Sequence, residues 1–299
     1  MWRIGLLVTP ITIGLVCGAL LVNAQESKHF RIEHNKKYQS VTLNYSSSNG
    51  VCYLAQGDSE DPLSVYSARD IDEFNHSFDR KEINHGLNIE LVLEEKNNQS
   101  FSQSISNKVF SKSKPEDNTW KVMLAEDIPY NLNLTYGIGE AYIDLSGLSV
   151  ANMKVKTGSA DVNIGYLSDS PNHVEMDNMN INVDLGNVYI RQLYMANVRN
   201  IKAEVGFGNM LLDFSETMNE PCHVVASVGA GELEIVIPKN DIPIIIRVKK
   251  SMLCDVKLTK SFAEIEKNIY SNTAGKDEGN TLVFDVDVSF GNIIFKEKR

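Results

Sequence analysis

From Leu134 onward the chain repeats one pattern of apolar and polar positions. An arm of alternating apolar and polar residues enters a glycine-containing corner. An Asn, Asp or Glu follows, and a second alternating arm leaves. Copies run over Leu134–Leu145, Val155–Ile164, Ile181–Ile190, Ile201–Leu212, Val224–Ile237 and Phe284–Phe295. Their corner amides and acids, Glu140, Asp161, Asn187, Asn209, Glu232 and Asn292, recur roughly every 22 residues, the spacing of a structural repeat. Period-2 alternation predicts strands with one face buried. Gly139, Gly186, Gly208, Gly231 and Gly291 fit corners that need positive φ or a close backbone approach. One such unit cannot bury its own apolar face, whereas stacking units about 4.8 Å apart buries a continuous core. The expectation is an all-β chain, a parallel β-solenoid resembling a single-stranded β-helix, over residues 119–299.

Upstream, Ser40–Tyr45, Val51–Ala55 and His85–Leu93 read as strands, and Trp120–Leu124 resumes strand character after a Ser-, Asn- and Lys-rich stretch. Residues 25–118 are therefore expected to form a β-rich cap, with a flexible loop over 96–118. Pro238 and Pro243 cannot donate to a ladder and mark a corner or strand edge. Ser261 and Glu264 have capping-box spacing, which predicts a helical turn before the final repeat.

The first 24 residues form a separate segment. Ile4 to Val22 carries no charge, and Val22-Asn-Ala24 suits cleavage before Gln25, so residues 1–24 read as a signal peptide. The alternatives are an uncleaved membrane anchor and lipidation at Cys17, which the bulky Val16 disfavours. The expected location is outside the cytoplasm: periplasm, cell surface or extracellular. A net charge of −10 and a pI near 5.2 argue against nucleic acid as a partner. Of the cysteines after the signal segment, Cys52, Cys222 and Cys254, the last two could pair, or all three could be separate core residues.

The run Ile128–Leu148 resembles the toast-rack type of bacterial envelope protein, as does Val155-Lys-Thr-Gly-Ser-Ala-Asp-Val162. Gly231–Pro238 and Val288–Ile293 resemble two related groups, the adhesin-type β-solenoids and the solenoid domains of cell-wall antibiotic-response proteins. The resemblance spans about Ser40 to Phe295. It implies the solenoid fold and brings no catalytic residues with it. Ser159-Ala160 departs from the family's glycine-containing corner.

The candidate chemistry is sparse. Gly137-Ile-Gly139, Gly206-Phe-Gly208 and Gly229-Ala-Gly231 look like phosphate loops, but a strand follows each where a dinucleotide fingerprint needs a helix. Stacking aligns the corner acids and amides in a column. Glu140 and Asp161 there could chelate Ca²⁺, or the column could close the corners by side-chain to backbone bonds. Asp144, Asp184, Glu204, Asp213 and Asp287 are available for paired-carboxylate glycan chemistry, though outward strand positions are normally polar. The six histidines show no metal-binding spacing. Tyr142 and Tyr189, each two residues after its corner, form a possible binding face for sugar rings. No cofactor is implied. The expectation is a non-enzymatic, envelope-associated, adhesin-like or scaffold module that binds an envelope protein or glycan. A membrane is a partner only through a retained N-terminal segment. The alternatives are an extracytoplasmic sensor of envelope stress and, less favoured, a carbohydrate-active enzyme.

Overall fold

The computed structural model describes residues 27–96, 119–218, 220–239, 242–273 and 281–298. The expected signal peptide over residues 1–24, and the expected 96–118 loop beyond its first residue, lie outside the described residues. The eighteen strands among the described residues join one sheet, and the fold is a parallel β-solenoid.

Five long strands each make a whole rung: β2 (Ser40–Gln56), β7 (Pro129–Asp144), β8 (Ser149–Gly165), β13 (Cys222–Ile237) and β18 (Leu282–Glu297). The other rungs are split at the corner into two strands. They are β5 (Gly86–Glu95) with β6 (Thr119–Leu124), β9 (Met176–Leu185) with β10 (Val188–Ile190), β11 (Val198–Phe207) with β12 (Met210–Asp213), and β14 (Ile244–Lys250) with β15 (Cys254–Lys257). Inward positions are mostly aliphatic and almost wholly buried. The first arms stack Leu43, Leu132, Met153, Met179, Ile201 and Val224 in one column, and the second arms stack Leu54, Ile143, Ile164, Ile190, Leu212 and Ile235 in another. This burial supplies the main driving force for the stack.

The order of rungs departs from chain order at both ends. β2 lies between the β5/β6 rung and β7, so the parallel stack begins well upstream of Thr119. β18 likewise lies between β13 and the β14/β15 rung. Antiparallel strands then cover most of the exposed edges. β4 (Phe74–Ile83) pairs with β5, β3 (Leu63–Ser67) with β6, and β1 (Ser27–Ile32) with β3. At the far end β17 (Ile269–Ser271) covers β14, and β16 (Ala263–Glu266) pairs with β17. The outer strand β4 is lined with exposed polar and charged residues, which discourages edge-to-edge association.

One local expectation is corrected, and of the two cysteine readings the one with separate core residues holds. The Ser261–Glu264 stretch begins a hairpin and not a helical turn. Asn268 adopts φ 60° and donates its backbone N–H to Glu264 Oε1 at 2.9 Å, so the acid that mimics a helix cap closes a β turn. Cys222 and Cys254 are free, as is Cys52, and all three are buried. Cys222 starts the first arm of β13, whereas Cys254 occupies the corner beside Gly291. Burial pushes the Cys222 thiol up to about 12 and that of Cys52 up to about 11.

Candidate functional site

The corner is built by backbone crowding. Gly50, Gly139, Ala160, Gly186, Gly208, Gly231 and Gly291 follow one another up the stack. The glycines have φ between 108° and 147°. A Cβ added at Gly208 would lie 1.8 Å from the Gly186 carbonyl oxygen, and one at Gly231 would lie 1.8 Å from that of Gly208. The preceding Gly of each Gly-x-Gly meets a second carbonyl column: a Cβ at Gly206 would come within 2.5 Å of the Asp184 oxygen. These motifs therefore exist so that consecutive rungs can approach at the bend. Ala160 lacks the positive φ, so that corner is turned differently.

The next residues form a polar ladder. Asp161 Oδ1 accepts from the Asn187 backbone N–H at 2.8 Å and from Asn187 Nδ2 at 3.1 Å. Asn187 Oδ1 accepts the equivalent pair from Asn209, both at 3.1 Å, and Asn209 Oδ1 accepts from the Glu232 N–H at 3.1 Å. Asn292 Nδ2 reaches Glu232 Oε2 at 3.5 Å. Each carbonyl-type oxygen thus satisfies the backbone donor of the next corner.

Tyr142 and Tyr189 face outward on the second arms with Asn163 between them. Tyr53 stacks on Tyr142 with ring centroids 4.9 Å apart and an interplanar angle of 11°. The Tyr142 hydroxyl donates to Glu140 Oε2 at 2.6 Å, which pushes its pKa up to about 12. The Arg191 guanidinium lies 5.4 Å from the Tyr189 ring centroid. One ring face of Tyr142 is therefore covered by Tyr53, and one of Tyr189 by the Arg191 guanidinium.

The outer face of the first arms carries a pattern that was legible at alternate positions, as in Asn178-Met-Asn-Ile-Asn182, but was not singled out. Register places Asn131, Asn152, Asn178 and Asn200 in one column. Asn133, Lys154, Asn180 and Lys202 form the next, and Thr135, Lys156, Asn182 and Glu204 the third. Asn152 Nδ2 donates to Asn131 Oδ1 at 3.0 Å, and Asn178 Nδ2 to Asn152 Oδ1 at 3.2 Å. Lys202 pairs with Glu204 at 3.1 Å. Among the described residues, Lys154 and Lys156 have no carboxylate within ion-pair distance.

A third surface lies on the outside of the bend. Leu185, Phe207 and Phe290 point away from the core there, and Leu253 and Met252 continue the ridge at the last rung. Phe207 is 64% exposed and Phe290 60%.

The carboxylates singled out for catalysis do not converge. Asp144 Oδ1 accepts from the Ser146 and Leu167 backbone N–H groups at 3.0 and 3.1 Å, and Asp213 from that of Ser215 at 2.9 Å. Asp287 pairs with Lys249 at 2.9 Å on a different arm, and Asp184 lies at a corner. His29 packs edge-on against Trp120, whereas His223 contacts Asp285 at 2.6 Å near the other end of the stack. Among the described residues no group of three or more His, Cys, Asp or Glu could hold a metal, and no helix is long and apolar enough to cross a membrane.

Among solved structures, a "putative cell adhesion protein" from Clostridium sporogenes is similar at 16% identity. The match covers 92% of this chain and 100% of that one, with a TM-score of 0.45. A "putative adhesin" from Bacteroides fragilis is similar at 10% identity over 91% of this chain and 97% of that one, with a TM-score of 0.32. No curated protein matches the chain. The family model described as the N-terminal domain of toast_rack, DUF2154, matches residues 22–191 of the 299. With more than half its length matched and the corner cassettes in register, the chain belongs to the toast-rack family.

Proposed function

We propose that this chain is an exported, non-enzymatic, adhesin-like binding module of the cell envelope. The observation that carries the reading is the register of the stack. It lines outward side chains into straight columns on two flat arms and a ridge, and a rigid extended surface suits an extended partner. Asp144, Glu204, Asp213 and Asp287 are each tied to a local donor, which supports binding over bond cleavage. The uncharged segment from Ile4 to Val22 supports export. Tyr142 and Tyr189 belong to the second-arm face of this surface.

The test is a cross-linked pull-down from the organism's own envelope fraction with residues 25–299, identifying proteins and glycans together. Enrichment of a defined glycan or envelope protein is the expected result. Recovery of neither, or release of reducing ends when the chain is incubated with a polysaccharide panel, would overturn the reading.

A further inference from the structure

The most distinctive surface chemistry is the outer face of the first arms from β7 to β11. Positions that only need to be polar for solubility are here occupied mostly by asparagine and lysine. Lys154, Lys156 and Lys202 project from this face, whose carboxylates are Glu204 and, at its corner end, Asp184. Its two central columns carry three lysines against one carboxylate, on a chain whose net charge is −10. Lys154 and Lys156 are exposed and, among the described residues, have no carboxylate within ion-pair distance, so both ammonium groups can meet an external anion.

The amides give the face a second property. Asn178, Asn180 and Asn182 are exposed on one strand, with their rung neighbours about 4.8 Å away on either side. Each carboxamide has two N–H donors and a two-lone-pair acceptor. The bonds between neighbours use only part of that capacity: Asn178 Nδ2 reaches Asn152, and Asn182 Nδ2 reaches Glu204 Oε2 at 3.3 Å. A shallow open depression runs between Lys154, Lys156, Asn180, Asn182, Lys202 and Glu204. On the side away from the corner it is bounded by Arg199, which bridges Glu175 at 2.5 Å and Asp177 at 3.6 Å.

We propose that this face binds a linear acidic polysaccharide. The lysines would meet its carboxylates and the asparagines its hydroxyls. The choice of ligand follows from the residue types. Single-stranded nucleic acid needs aromatic platforms for its bases, and this face has none. A polyanion without hydroxyls would leave the amides without a role. The inference rests on the binding-module reading and deepens it.

The test uses the secreted chain with polygalacturonate as probe. Dextran serves as the neutral polymer and linear polyphosphate as the charged one without hydroxyls, with binding followed by calorimetry. The expected result is binding of polygalacturonate that weakens as salt is raised. It should fall about tenfold or more in the Lys154→Gln/Lys156→Gln/Lys202→Gln variant, from three exposed charge contacts each worth a few-fold. Asn180→Ala/Asn182→Ala should weaken polygalacturonate and leave polyphosphate unchanged, while Lys257→Gln on the other arm should have no effect. Equal binding of dextran, equal or tighter binding of polyphosphate, or an unaffected triple-lysine variant would overturn the proposal. Applying the envelope pull-down to the same variant separates the two readings. If envelope glycan is still captured without the lysines, this site is wrong and the binding module stands. If the wild-type chain captures nothing, both fall.

Discussion

The corner and the first-arm face sit on the same rungs but answer to different constraints. At the corner, residue identity is dictated from inside. Successive carbonyls come so close that a single added Cβ at Gly231 would overlap an oxygen 1.8 Å away, and the following side chain must accept the next backbone N–H. On the first-arm face the ladder hydrogen bonds are complete without any help from the side chains, so burial and backbone sterics leave those positions open. A recurring residue at the corner therefore reports fold. A recurring residue on the open face calls for a functional explanation.

The sharpest way to break that comparison is Gly231→Ala. It adds one carbon at φ +147° against the Gly208 carbonyl, and it should destabilise the chain by roughly 3 kcal/mol or more. Chemical denaturation reads this directly, and an unchanged midpoint would mean that the bend relaxes freely. A smaller loss, about 1 kcal/mol, is expected for Asn209→Ala, which removes the acceptor for the Glu232 N–H at 3.1 Å. Asn209→Asp keeps that acceptor but loses the Nδ2 donor to Asn187 Oδ1, and should recover only part of the loss.

The ladder also meets the tyrosine column, because the Tyr142 hydroxyl donates to Glu140. Its folded pKa, raised to about 12, exceeds the unfolded value near 10. The stabilisation is therefore fully present below about pH 10 and disappears as pH rises towards 12. A tyrosinate absorbance titration should lose one late-ionising hydroxyl in the Tyr142→Phe variant. The smallest effect belongs to the open face. Lys154→Gln with Lys156→Gln should change stability by no more than about 0.5 kcal/mol, as measured by the same denaturation. A large loss would show that these lysines serve the fold, and would dissolve the contrast between the two regions.

The same contrast explains what could be read from sequence. The cassettes after Leu134 announced the solenoid because the Gly-x-Gly spacing and the acid or amide that follows are steric necessities that recur every rung. β2 was recognisable as strand material, yet nothing local in Ser40–Gln56 states that it slots between β5/β6 and β7. That pairing is a long-range choice, made by burial of Val41, Leu43 and Tyr45 against both neighbours. The hairpin at β16 and β17 was misjudged because one Glu can close either a helix start or a β turn. The Asn and Lys columns were present as alternate letters, but a column exists only once register is known. Stacking also changed the meaning of Tyr142: its sequence position suggested an open ring, and the rung below places Tyr53 against it.

The interleaved ends carry a consequence for how the molecule comes into being. A simple solenoid can be completed rung by rung in the order in which the chain emerges. Here the β14/β15 rung exists before the strand on which it must rest, and it can dock only when β18 arrives to fill the space beside β13. At the other end, β2 must wait for β5, β6 and β7. Translocation from the N-terminus would thus deliver a chain whose far end stays open until its final strand is through. Loss of that strand would leave a gap in the interior instead of a shorter stack, with the apolar sides of β13 and β14 facing water.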